Sequence, residues 1–210
     1  MKVIFPPRPK TRIVPGRLPR YEKTGQWVVQ RKFNGTRNTI NVTPSGEVRF
    51  WHYGEPHKLF KPTPELIRQV LSLNLQPGLE YWLDSELLLS KTKNPHYKGK
   101  MVLFDVLQSG RYLMGSPDQM GRLELLAKIC GHPTELEPHS GLALQATDGI
   151  WMAQTFESDF VDRFNDFLDH DEIEGLVLRK KKSAITSPGA TRYEVDWQIR
   201  CRKPSKQYQF

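Results

Sequence analysis

The sequence predicts an α+β protein whose strands pair mainly antiparallel, and three observations carry that prediction. Short apolar runs at 27–29, 39–42 and 47–51 are separated by polar, turn-forming residues, as in a meander. Helix-start signals at Thr63-Pro64-Glu65, Ser116-Pro117-Asp118-Gln119 and Ser158-Asp159 each precede apolar residues at helical spacing. Three further strand-like runs each embed acidic residues among aliphatic ones.

Residues 1–20 carry prolines at 6, 7, 9, 15 and 19 among arginines and lysines, so they are expected to run extended over the surface as a basic arm. Such an arm serves solubility or contacts nucleic acid, and charge alone does not separate the two. Trp27-Val28-Val29 and Thr39-Ile40-Asn41-Val42 then flank a polar stretch at 30–38. Within it, Lys32 followed three residues later by Gly35 sets an amine beside backbone that a ligand can approach closely, and Arg37 adds a second cation. That suits a phosphate, although the same spacing describes a hairpin turn with a solvated lysine. Thr43-Pro44-Ser45-Gly46 is a turn, and 47–51 is the next strand.

The first helix has a capping hydroxyl at Thr63, a proline where its missing N–H costs nothing, and an acid in its first turn. Leu66, Ile67, Val70 and Leu71 share its apolar face, and Gln76-Pro77-Gly78 ends it. A strand over 81–89 puts Asp84 and Glu86 on one face, where a cationic or polar partner is required. The strand at 101–107 repeats the theme with Asp105 beside Phe104. The second helix turns Met120, Leu123, Leu126 and Ile129 inward and stops at Gly131. After a loop at 132–141, strand-like runs follow at 142–146 and 150–153. Phe160, Val161, Phe164, Phe167 and Leu168 give a third helix, its phenylalanines core. Residues 173–178 form a strand containing Glu174, and 197–202 a strand with Arg200 and Arg202 on one face. The basic tail, 203–210, is expected to be loosely held.

A chain of 210 residues with 38% hydrophobic and 26% charged content suits one globular domain. Its apolar runs are too short to cross a bilayer and its start is unlike a signal peptide, so a soluble, cytoplasmic monomer is expected. A formal charge of +8 points to a polyanionic partner, DNA or RNA. Cys130 and Cys201 lie at neither metal-ligand nor redox spacing, and His52, His57, His132 and His139 form no zinc pattern.

Together the residues describe a lysine in a turn, strand-embedded acids and a strand presenting two arginines. Around a nucleoside triphosphate they have a coherent use: an amine attacks phosphorus while cations neutralise oxygen charge and carboxylates hold Mg²⁺ and ribose. From about residue 17 to 204, the ordered motifs resemble the nucleotidyltransferase core of ATP-dependent polynucleotide ligases, a superfamily shared with mRNA capping enzymes. The family's Lys-x-Asp-Gly-x-Arg stands here as Lys32-Phe33-Asn34-Gly35-Thr36-Arg37. Leu83-Asp84-Ser85-Glu86-Leu87, Phe104-Asp105-Val106-Leu107, Glu174-Gly175-Leu176-Val177-Leu178 and Ile199-Arg200-Cys201-Arg202-Lys203 follow in family order.

The resemblance implies a single adenylation domain over 21–204, with two mainly antiparallel sheets around an ATP cleft and helices outside. It implies that Lys32 attacks the α-phosphate of ATP to form lysyl-AMP, which activates a 5′-phosphate of nicked or broken DNA or RNA for joining to a 3′-hydroxyl. Gln30, where the family usually has an acid, is expected to pair with adenine, Phe104 to stack on it, and Arg31 to contact the nucleotide. Glu86 and Arg37 are assigned to ribose or the phosphate to be joined, Arg49 to the 5′-phosphate, and Glu86 with Glu174 to Mg²⁺ or Mn²⁺. Arg200, Arg202 and Lys203 stand where the family supplies lysines to the phosphates. Asn34 in place of aspartate resembles RNA-joining members, whereas the neighbourhoods of Arg37, Glu86 and Phe104 resemble DNA ligases, and DNA nick sealing is preferred. The 210 residues leave no room for the oligonucleotide-binding barrel that usually follows, so the basic arm and tail are expected to clamp the backbone. A capping-type guanylyltransferase and a catalytically silent nucleic-acid-binding module are the other readings.

Overall fold

The computed structural model describes residues 3–58, 60–89 and 92–204. In chain order the first half contains β1 (Arg8–Ile13), α1 (Leu18–Glu22), β2 (Trp27–Phe33), β3 (Thr36–Val42), β4 (Val48–His52), β5 (Glu55–Pro56), α2 (Pro64–Leu71), β6 (Tyr81–Leu87) and β7 (Met101–Ser109). There follow β8 (Arg111–Tyr112), α3 (Gln119–Ile129), β9 (Leu144–Gln145), β10 (Ile150–Met152), β11 (Thr155–Phe156), α4 (Phe160–Asn165), β12 (Ile173–Lys180) and β13 (Glu194–Arg202). Two sheets result, one ordered β1-β13-β12-β2-β11 and the other β5-β4-β3-β6-β7-β10-β9, with β8 paired to β7. Only the pairs β1–β13 and β10–β7 run parallel among the described strands.

Alternation along the strands divides each sheet into a greasy face and a polar one. In the first sheet Val29, Leu176, Leu178, Ile199 and Cys201 pack against Leu18 of α1 and Phe160 and Phe164 of α4. In the second, Ile40, Leu83, Leu87 and Leu103 pack against Leu66 and Val70 of α2 and Leu126 and Ile129 of α3. Each fully buried aliphatic side chain contributes about 2 kcal/mol. The opposite faces of both sheets border a common cleft.

The helix caps agree with the sequence only in part. Thr63 caps α2, its hydroxyl accepting from Leu66 N at 3.1 Å. At α3 the cap is Asp118, accepting from Gly121 N at 2.9 Å, not Ser116. The buried face of α3 is Gln119, Arg122, Leu126 and Ile129, while Met120 and Leu123 are only half-buried, because Asp105 draws Arg122 inward. The third helix ends at Asn165, before Phe167, and leaves Val161 and Leu168 exposed. Its first residues are capped from α1, where the Glu22 carboxylate accepts from the N–H groups of Asp159 and Phe160.

The N-terminal segment departs further from expectation. Residues 8–13 of the supposed surface arm form β1, an edge strand on β13 where Pro9 is tolerated, and Leu18 is fully buried. The strand expected at 142–146 shrinks to Leu144–Gln145. The tail beyond residue 204 lies outside the described residues. Among those residues no helix is long and apolar enough to cross a membrane.

Candidate active site

The first sheet brings its polar residues together by register. Lys32 lies opposite Gly175, which lies opposite Arg202, and the next row is Gln30, Val177 and Arg200. Residues two apart on one strand share a face, so both rows point into the cleft. Glu174 reaches the same place by a bulge: Ile173 pairs with Phe33 and Gly175 with Lys32, leaving Glu174 as the extra residue. Only glycine fits at 175, where φ is +140° and a Cβ would stand 2.0 Å from Cys201 O. The bulged carboxylate meets Lys32 Nζ at 2.6 Å and Arg202 Nη2 at 3.2 Å.

The second sheet supplies the facing wall. Gly35 comes so close to β6 that a Cβ would lie 2.5 Å from Leu87 O, and its N–H donates to Glu86 Oε1 at 3.1 Å. Burial pushes the Glu86 carboxyl up to about 7 against the pull of Lys32 and Arg37, and the charge of Glu174 adds to the rise. Arg37 reaches back along β3, donating through Nε to Asp84 Oδ1 at 3.0 Å and through Nη2 to Asp84 Oδ2 and Pro7 O. Asp84 is wholly buried. Burial opposes the Arg37 charge, but Asp84 outweighs it and holds the guanidinium above its ordinary range.

Asp105 is the second buried anchor. It accepts from Arg122 Nε at 3.0 Å and Arg179 Nη1 at 2.9 Å, so one carboxylate ties α3 and β7 to β12 across the two sheets. Arg179 lines the cleft, and its guanidinium and that of Arg37 lie over the Phe104 ring at 5.5 and 5.7 Å from the centroid. The cleft holds about 380 Å³. Gln30 Oε1, Arg179 Nε and Gln198 Nε2 belong to almost fully buried residues of its wall and have no protein hydrogen-bond partner. One acceptor and two donors in the wall of the cleft are thus left to be satisfied by something other than the protein.

Compared with solved structures, the chain superposes on mycobacterial DNA ligase D complexed with ATP and MES with a TM-score of 0.64 and 16% identity. The fold is that of the DNA ligase nucleotidyltransferase core. That match covers 95% of this chain and 60% of the ligase D chain, and the ligase domain of M. tuberculosis LigD gives 0.61 at 16% identity, covering 93% and 58%. The ATP complex of the bacteriophage T7 ATP-dependent DNA ligase gives 0.53 at 10% identity, covering 95% of this chain and 68% of its own. This chain therefore spans about three-fifths of the ligase D structures it matches. No family model and no curated protein sequence matches it.

Set in the ligase fold, most of the residues named from sequence converge: Gln30, Arg31, Lys32, Arg37, Glu86, Phe104, Glu174, Arg200 and Arg202 all line the cleft. The guanidinium of Arg31, however, is turned to the loop at 141–142, donating to Gly141 O at 2.7 Å and to Leu142 O, and lies 3.7 Å from the Phe167 ring centroid. Burial lowers its pKa to about 10. Two of the named residues lie away from the cleft lining. Arg49 lies outside the cleft lining and pairs with Glu47 two residues away, Nε to Oε1 at 2.7 Å. Lys203 is held by the carbonyls of Leu168 and His170 at 2.9 and 2.7 Å, which fastens the loop after α4 instead of facing the phosphates.

Sequence reasoning missed Arg8, His52, Tyr53, Arg179 and Gln198 in the cleft wall. For Arg179 a signal existed: two residues beyond Val177, it continues the same face. Among the described residues no group of three or more His, Cys, Asp and Glu side chains forms a metal cage. Glu86 and Glu174 both line the cleft and lie near enough for the charge of one to be felt by the other, and two carboxylates with room for substrate phosphates and water are a donor set that a cation of the Mg²⁺ kind accepts.

Proposed function

We propose that this chain is the adenylating core of an ATP-dependent polynucleotide ligase acting on nicked DNA. The observation that carries the reading is the contact of Lys32 with Glu174 and of Glu174 with Arg202, inside a cleft whose far wall presents Phe104 and Glu86. The Lys32 amine bonds to the α-phosphorus of ATP as the bond to the bridging oxygen breaks, and pyrophosphate leaves. Glu174, 2.6 Å away, is placed to take the ammonium proton. Arg200 and Arg202 neutralise the phosphate oxygens, but arginine does not give up a proton readily, so they act as fixed charges. Gln30 Oε1 accepts from the exocyclic amine of adenine, and Phe104 supplies a stacking face. Glu86 and Glu174 would hold a divalent cation, which would supply charge neutralisation to the phosphates. A polynucleotide 5′-phosphate oxygen then displaces Lys32 from AMP, and a 3′-hydroxyl displaces AMP to close the strand.

The DNA preference rests on the superposed structures, which are DNA ligases by description. Mass spectrometry after incubation with ATP tests the first step: an AMP adduct on Lys32, absent from Lys32→Ala, is expected, and an unmodified protein with no pyrophosphate released would sink the reading. Sealing of nicks in which each strand is DNA or RNA tests the substrate, with the all-DNA nick expected to react fastest.

A further inference from the structure

At the mouth of the cleft the β4–β5 turn carries Tyr53, 46% exposed and in the left-handed region with φ of 50°. A bulky aromatic residue there is strained, and the surroundings must hold it. Three segments do so. Phe5 packs over the turn at Gly54, where a Cβ would meet Phe5 Cζ at 2.3 Å. Arg192, ahead of β13, donates to Tyr53 O at 3.3 Å and places its guanidinium 4.7 Å from the ring centroid. Arg8 of β1 brings a second guanidinium to 5.7 Å. The His52 ring lies 4.2 Å away, and Arg8, His52 and Tyr53 all line the cleft that contains Lys32.

The two-residue β4–β5 turn requires positive φ at both Tyr53 and Gly54, but it favours small polar residues, and a large half-exposed ring among cations is not what the turn asks for. Aromatic rings flanked by guanidinium groups are what unpaired nucleobases stack on, because every base has a π-face and its phosphates lie within reach of the cations. We propose that Tyr53, with Arg8 and Arg192, is a stacking platform for the terminal nucleobase of a polynucleotide strand delivered to Lys32. The inference rests on the ligase reading for what happens after docking, whereas the platform itself requires only a base and its phosphates.

The test uses an oligonucleotide with 2-aminopurine at its end, whose fluorescence falls on stacking, together with anisotropy for affinity. The full chain should quench the probe. Tyr53→Trp should retain quenching, and Tyr53→Leu should lose it and bind roughly tenfold more weakly. Arg8→Gln with Arg192→Gln should flatten the salt dependence of binding. Tyr53→Gly separates docking from folding, since it relieves the left-handed strain: thermal stability should rise while affinity falls. An unquenched probe with the unaltered chain, or Tyr53→Gly binding as tightly as the unaltered chain, overturns the platform. Adduct formation at Lys32 in the unaltered protein is read separately, so failure of the ligase reading leaves the platform standing as a nucleic-acid site.

Discussion

Glu174 stands opposite no residue of β2, and for that reason its carboxylate reaches Lys32 Nζ at 2.6 Å. The bulge makes the carboxylate a partner of Lys32, and Gly175 makes the bulge possible. Glu174→Gln keeps the size and removes the charge. Adduct formation should slow by about a hundredfold or more, as for loss of a general base, with ATP affinity far less affected. Rapid-quench measurement of adduct formation against ATP concentration separates the two.

Glu86 gives a pH dependence with opposite signs for stability and chemistry. Its folded value, about 7, lies above the ordinary 4.5, so between those values the folded chain keeps a proton that the unfolded chain has lost. Stability therefore falls as pH rises through that window, by on the order of 2 kcal/mol. Adduct formation should rise as pH passes 7, because the carboxylate is the form that meets ribose or cation. Urea melts at pH 5 and pH 8 check the first part, and Glu86→Gln should flatten the stability difference.

Asp105 holds two arginines that are 0% and 3% exposed in their side chains. Asp105→Ala leaves both charges buried without their carboxylate and should cost about 4 kcal/mol. The shift of the urea midpoint measures it, and Asp105→Asn, which keeps the shape and the hydrogen-bonding oxygen, should cost less.

Gln30 donates through Nε2 to the Thr155 hydroxyl at 3.1 Å and leaves Oε1 for a ligand. A hydroxyl both donates and accepts, so the amide can turn over and offer Nε2 to the O6 acceptor of guanine instead. Gln30→Glu removes that option. Competition between ATP and GTP for adduct formation should show sharper ATP selectivity in the variant than in the unaltered chain, and equal selectivity would refute this role for Gln30.

Much of this site is legible in the residue order, because strand alternation alone sets Gln30 with Lys32, Asp84 with Glu86, and Arg200 with Arg202. What alternation does not show is which partner a charge takes. Residue order gives Arg37 to ribose or a phosphate, whereas in the fold Asp84 engages it, and nothing in the order pairs Arg122 with Asp105. For Arg49 and Lys203 the side chains engage near neighbours that residue order does not single out, the Glu47 carboxylate just before β4 and two loop carbonyls. The pairing of β1 with β13 is invisible locally, since a proline-rich segment reads the same whether it lies on solvent or along a sheet edge.

That pairing also sets the order in which the cleft can be assembled. Arg12 lies in register with Arg200, so the first strand finds its neighbour only after the last has been made. A growing chain on the ribosome carries Lys32 long before it carries Arg200 and Arg202. Lys32 thus waits for its neighbouring cations, and closure of the first sheet, a contact between distant parts of the chain, comes late. A chain stopped before residue 194 has the lysine but lacks the strand that supplies those arginines, so under the proposed function it should form no lysine adduct with ATP.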